Sequence, residues 1–196
     1  MNEEPDLTRL TEAALDVARM MEAEGLEGAF VGAFAAGFVS EPRATRDVDA
    51  MVFWEERSPE SLFEIAKRYG LEMRTENSME IARRSRVLLL VHKLTGVTVD
   101  ISLGILPFER EIAQRAHRFE REGVAVRVAT AEDLFIMKVL ANREKDLFDL
   151  SQIVRANPAL DRNYVMGHVS EIAELLEMPE MVETASRLLA RQPESG

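Results

Sequence analysis

Apolar residues recur at Leu7, Leu10, Ala14, Val17, Ala18 and Met21, steps of three and four that predict an α-helix over residues 7–24. The run "GAFVGAF" then predicts a short buried strand leading into Gly32, with a short helix over "AFAAGFVS". In "DVDAMVF" the pattern changes to alternation, with Asp47, Asp49 and Met51 on one side and Val48, Ala50 and Val52 on the other, which is a strand with one polar face. Ser58 followed by Pro59 marks a helix start, and Gly70 a stop. Two strands, "VLLLVHKL" and "VTVDISLG", flank a hairpin-like turn at Thr95 and Gly96. In the second of them Val97, Val99, Ile101 and Leu103 share one face, and Thr98, Asp100 and Ser102 the other. A helix over 109–118 and a strand at "VAVRVAT" follow, after which Thr130 caps a helix with Asp133 three residues on. The remainder is helical, broken at Asn157-Pro158 and Met178-Pro179. The pattern predicts an α+β chain: a mixed sheet flanked by helices over 1–128, and a helical C-terminal region, 129–196, packed on that core.

Composition narrows the setting. A chain of 196 residues that is 46% hydrophobic suits one sizeable domain with a helical appendage. It has no cysteine, which excludes a disulfide framework, a thiolate metal site and a cysteine nucleophile. The N-terminal stretch is acidic and no apolar run approaches the roughly 20 residues that span a bilayer, so a cytoplasmic protein without membrane association is expected. A net charge of −11 opposes a broad coat of nucleic acid, and bulk DNA binding is not expected. The basic groups "RRSR" (83–86) and "QRAHRFER" (114–121) are candidates for a local patch, but the second alternates with glutamates and fits solvated surface better.

The chemistry lies on the polar strand faces. Asp47, Asp49 and Asp100 held close together repel, and burial of an uncompensated charge costs several kcal/mol. A divalent cation removes that cost, and Mg²⁺ prefers oxygen ligands shared between carboxylates and substrate phosphates. Two such ions would position an attacking oxygen and stabilise departing pyrophosphate, so the spacing suits phosphoryl or nucleotidyl transfer. A lone Asp-x-Asp pair is more often a solvated strand face. Upstream, Gly32 and Ala33 at a strand end are candidates to present backbone N–H groups to a phosphate, against the simpler reading of tight helix–strand packing. On a continuous helix Lys138, Lys145 and Asp149 would form one polar stripe, whose bland reading is an (i, i+4) ion pair between Lys145 and Asp149. His92, His117 and His168 lack metal-ligand spacing, and no serine sits in a nucleophile elbow.

The segment "VGAFAAGFVSEPRATRDVDAMV" resembles the signature of the DNA polymerase β-type nucleotidyltransferases, and "VTVDIS" looks like their third-carboxylate strand. "ATAEDLFIMKVLANREKDLFDLSQIV" is similar to the lysine and R-x-KD-x-x-D motifs of the AbiEii-type members, toxin components of abortive-infection toxin–antitoxin systems. Together these motifs cover roughly residues 29 to 155 in the family's order. The resemblance implies a minimal polymerase β-like fold and a metal-dependent enzyme that moves NMP from an NTP to an acceptor hydroxyl, such as the 3′ end of a tRNA or a protein side chain. It implies Mg²⁺ or Mn²⁺ on Asp47, Asp49 and Asp100, the last as ligand or general base. It further implies nucleotide contacts from Gly32, Ala33, Arg46 and Lys138, a helical motif completed by Lys145, Asp146 and Asp149, and a cognate antitoxin as partner. Ala33 departs from the Gly or Ser usual in the family, leaving only a backbone donor there. Two alternatives stay open: a nucleotide-binding regulatory or structural partner without turnover, and a transferase acting on a small hydroxylated molecule.

Overall fold

A computed structural model describes residues 6–41, 44–55, 57–141 and 143–190, without the side chains of Glu144 and Lys145. Its contacts divide the chain into two units, residues 1–35 with 43–129 and residues 36–42 with 130–196.

Seven strands of the first unit form one mixed sheet: β1 (Gly28–Val31), β2 (Asp47–Phe53), β3 (Leu71–Met73), β4 (Val87–His92), β5 (Thr98–Gly104), β6 (His117–Arg121) and β7 (Val124–Val128). They lie in the order β3-β4-β5-β2-β1-β7-β6. The acidic strand β2 is central, antiparallel to β1 and parallel to β5. Its inward residues Val48, Ala50 and Val52 are fully buried, as are Val99 and Ile101 of β5 and Leu88 and Leu90 of β4. Alternation therefore sets the register here, because a one-residue slip would drive the carboxylates into that layer.

Helix α1 (Leu7–Ala23) begins at Asp6, whose side chain accepts from the backbone N–H groups of Thr8 and Arg9 at 3.1 and 3.3 Å. It packs on β7 and β2. Its Asp16 meets the buried His92 Nε2 at 3.0 Å, and the His92 Nδ1 meets Thr95 Oγ1 at 2.8 Å, so this histidine anchors α1 to the β4–β5 hairpin. Helix α3 (Pro59–Lys67) starts at the Ser58-Pro59 signal and α5 (Pro107–Arg115) packs on β1 and β2. The helix expected over 109–118 stops at Arg115, because residues from His117 onward pair with β7 instead. Helix α4 (Ser78–Ser85) and strands β3 and β6 are elements that the pattern above does not predict. The "RRSR" group at the end of α4 is dispersed: Arg83 pairs with Glu60, while Arg86 donates inward to the carbonyls of Trp54 and Leu103.

The second unit contains α6 (Ala131–Ala141), α7 (Glu144–Ala156), α8 (Arg162–Leu175) and α9 (Glu180–Leu189), while α2 (Gly32–Val39) starts in the first unit and ends in the second. Thr130 Oγ1 accepts from the Asp133 N–H at 3.2 Å, forming the expected cap of α6. Phe135, Leu134, Ile136, Val165, Val169 and Ala185 form the core of this unit. Asp133 is fully buried and accepts from the Tyr164 hydroxyl at 2.9 Å, tying α6 to α8. No helix among the described residues is long and apolar enough to cross a membrane.

Candidate active site

The two-residue period of β2 turns Asp47 and Asp49 to the same side, each half-buried. Parallel pairing places Asp100 directly opposite Asp49, and Asp47 opposite Thr98. Neighbouring strands lie roughly 4.8 Å apart, so three carboxylates share a small patch of one sheet face. At Met51 that side is closed: Met51 is buried and approaches Gly104. The acidic patch thus lies at the N-terminal end of β2, before the buried Met51.

Gly32 explains how Asp49 fits. Its φ is +67°, and a Cβ placed there would lie 2.0 Å from Asp49 Oδ2 and 2.6 Å from Cγ. Only glycine combines that backbone with that approach. The carboxylate sits against the first residue of α2, where the helix dipole favours negative charge. Gly32 is therefore required by Asp49 itself, a more specific reason than helix–strand packing in general. Ala33 follows in the first turn of α2, half-buried. Upstream of β2, Thr45 Oγ1 donates to Asp47 Oδ1 at 2.5 Å and fixes that carboxylate, while Arg46 is exposed.

Asp100 has a partner that the sequence does not announce. Arg74, the residue after β3, donates its backbone N–H to Leu89 O at 3.0 Å and its Nε and Nη2 to Leu90 O at 3.3 Å each. The same Nη2 donates to Asp100 Oδ1. Both side chains are 29% exposed, so the pair is only partly screened by water. Burial pushes the Asp100 carboxyl above its usual range; the Arg74 charge and hydrogen bond pull it back, and the nearby negative Asp47 pushes it up again. No short motif joins two residues separated by 26 positions, so Arg74 could be found only after β4 and β5 are paired.

These residues suit a divalent cation by donor type: hard oxygen ligands on one face, with more negative charge than one guanidinium neutralises. Among the described residues no group of three Asp, Glu or His side chains converges as a ready cage. That agrees with the ordinary habit of Mg²⁺, which takes one or two carboxylates and fills its remaining positions with water and substrate phosphate.

In the second unit Lys138 is 7% exposed on α6. Its ammonium donates to Asp149 Oδ2 at 2.6 Å and Asp146 Oδ1 at 3.2 Å, and Arg143 Nε donates to Asp146 Oδ2 at 2.6 Å. Burial works to raise the Asp146 pKa, but the Arg143 hydrogen bond and the Lys138 charge outweigh it and hold the carboxyl below its ordinary range. The expected continuous polar stripe does not exist: α6 ends at Ala141 and α7 starts at Glu144. The break lets Lys138 reach carboxylates eight and eleven positions on, across two helices. The side chain of Lys145 lies outside the described residues.

Comparison with known proteins agrees with this architecture. The crystal structure of an antigenic nucleotidyltransferase-like protein from Paracoccidioides brasiliensis superposes with a TM-score of 0.52 at 14% identity, covering 89% of this chain and 91% of that one. The solution structure of the antibiotic-resistance factor ANT(2'')-Ia superposes with a TM-score of 0.53 at 14% identity, covering 88% of this chain and 97% of that one. At such identities the likeness establishes the nucleotidyltransferase fold. No curated protein matches the chain by sequence. The family described as "Nucleotidyl transferase AbiEii toxin, Type IV TA system" matches residues 19–194. With the acidic strand pair, the glycine that Asp49 requires and a match over nearly the whole chain, the protein belongs to the AbiEii nucleotidyltransferase toxin family.

Proposed function

We propose that the protein transfers a nucleoside monophosphate from an NTP to an acceptor hydroxyl, with Asp47, Asp49 and Asp100 as the site of one or two Mg²⁺ or Mn²⁺ ions. The observation carrying this reading is the register that sets Asp49 opposite Asp100 with Asp47 on the same face. A bound divalent ion would supply Lewis acidity at the α-phosphate and neutralise the departing pyrophosphate.

The chain's own residues do the rest. Gly32 and Ala33 offer backbone N–H groups at the start of α2 to phosphate oxygens, and Arg46 contributes positive charge on the loop before β2. Thr45 holds Asp47 by its hydroxyl hydrogen bond. Asp100, made more basic by burial, accepts the proton of the attacking hydroxyl. The acceptor oxygen bonds to the α-phosphorus, the bond to the β-phosphate oxygen breaks, and pyrophosphate leaves with its electron pair. We assign Lys138 and Asp149 first to holding α6 against α7, since withdrawing the ammonium toward a nucleotide would strand two buried carboxylates.

The acceptor of this reading is a tRNA 3′ end or a protein side chain, in a cytoplasmic protein with a cognate antitoxin. Purified protein incubated with each α-labelled NTP and Mg²⁺ against total tRNA, candidate proteins and aminated sugars decides among acceptors. Label on tRNA or protein supports the reading; label on sugars alone moves the enzyme to the small-molecule class; nucleotide binding without any transfer supports a regulatory partner.

A further inference from the structure

The sheet ends on β6, which pairs with β7 on one side only. All five residues, His117 to Arg121, are exposed, including Phe119 at 41%. At the opposite edge β3 has three residues and buries Leu71. The β6–β7 loop is two residues, Glu122 and Gly123, with φ of 52° and 73°. Two successive positive φ values make the type I′ turn, which closes Arg121 and Val124 as a hydrogen-bonded pair. Pairing alternates from there, so Phe119 and His117 exchange backbone hydrogen bonds with β7, while the N–H and C=O groups of Arg118 and Glu120 turn outward.

We propose that β6 is an interface for a second copy of this chain, the two β6 strands pairing antiparallel about a two-fold axis at Phe119. The sequence His117-Arg118-Phe119-Glu120-Arg121 is matched to that operation. In this register Arg118 of one copy faces Glu120 of the other, twice, exchanging the contacts that Arg118 makes in the single chain to its own Glu120 at 3.0 and 2.8 Å and to Glu22 at 3.6 Å; these are the residues whose backbone groups point outward. Four backbone hydrogen bonds therefore form at the positions where the two ion pairs also form. Phe119 meets its own copy as a non-hydrogen-bonded pair, the closer kind, which suits an aromatic cross-strand contact. The one match without opposite charges is His117 opposite Arg121 of the second copy. Shifting the axis to Arg118 or Glu120 would set like charges face to face, so charge selects the Phe119 register. Charges on an edge strand ordinarily block edge pairing. Here the alternation of sign inverts that effect for one partner, an identical chain, and makes the contact isologous and closed.

Two experiments with the whole chain test this. The protein contains no cysteine, so Phe119→Cys introduces the sole thiol, at a position where the antiparallel pair brings the two Cα atoms to about 4.5 Å, within disulfide reach. Under mild oxidation this variant is expected to cross-link to twice 22.1 kDa, and faster than a Glu12→Cys control on α1. In sedimentation velocity, Arg118→Glu and Glu120→Arg are each expected to weaken dimerisation about tenfold, since each sets like charges opposite at both contacts. An equimolar mixture of these two variants restores both ion pairs and is expected to recover the dimer. A wild-type chain that stays monomeric at high micromolar concentration, a dimer indifferent to both charge reversals, or a mixture no better than either variant would overturn the proposal. Melting temperatures of the variants separate loss of pairing from loss of folding.

Discussion

Replacing Gly32 by alanine tests the link between backbone and acidic site with a single methyl group. Two costs arise. The left-handed φ of +67° costs a residue with a Cβ about 1–2 kcal/mol. The new Cβ also falls 2.0 Å from Asp49 Oδ2, where ordinary contacts begin at 3.4 Å. The carboxylate must retreat by more than an ångström, at about 0.5–1.5 kcal/mol if it adopts an off-rotamer angle. Together Gly32→Ala should destabilise the protein by about 1.5–3.5 kcal/mol in urea unfolding. If Asp49 holds a reactive ion, a displacement of that size should slow nucleotidyl transfer about 100-fold. A cycle with Asp49→Gly separates the two costs. In that background the clash disappears and the cost of Gly32→Ala should fall to the backbone share, about 1–2 kcal/mol. An equal cost in both backgrounds would show that Asp49 does not press on Gly32. A loss well under about 1 kcal/mol in the wild-type background would refute the left-handed strain as well.

Other residues give further expectations. Lys138→Met should destabilise the helical unit by about 3–5 kcal/mol in urea unfolding, because it leaves Asp146 and Asp149 buried without the ammonium; an effect below 1 kcal/mol, on the same scale, would deny the clasp. Asp146 titrates below its unfolded value, so its stabilisation is complete above the ordinary aspartate range and disappears as pH falls through the folded value. Asp146→Asn should therefore flatten the decline of stability below about pH 4, and an unchanged acid profile would contradict the assignment. Arg74→Gln removes the cation that competes for Asp100, so Mn²⁺ should raise the melting temperature of this variant more than that of wild type; an equal or smaller rise would mean that Arg74 and the ion do not compete.

Legibility followed periodicity. β2 and β5 stand out because each has one buried face, so Val48, Ala50 and Val52 alternate with carboxylates, and Val99 and Ile101 with Thr98 and Asp100. That alternation revealed the acidic residues, and the fold brought them into register. β6 escaped because it is exposed on both faces and carries no hydrophobic period to read. Its His117 and Arg118 extend the polar pattern of α5 far enough to suggest a longer helix. The break between α6 and α7 was hidden for a related reason: the residues from Ala141 to Glu144 contain neither glycine nor proline, and helical spacing runs across them. Position 32 was legible as a glycine, but its reason was not, since it depends on a carboxylate seventeen positions later in the chain and one strand away. Arg74 was the least accessible, because its role depends on β3, β4 and β5 lying side by side.

The central claim is that the carboxylates on β2 and β5 carry the chemistry. Its most direct measurement is transfer of label from an α-labelled NTP in Mg²⁺ by wild type and Asp47→Asn, both shown to be folded by circular dichroism and melting. Wild type should transfer label and Asp47→Asn none, and the variant should melt at or above the wild-type temperature, since one of three mutually repelling charges is gone. Undiminished transfer by a folded Asp47→Asn protein would contradict the claim.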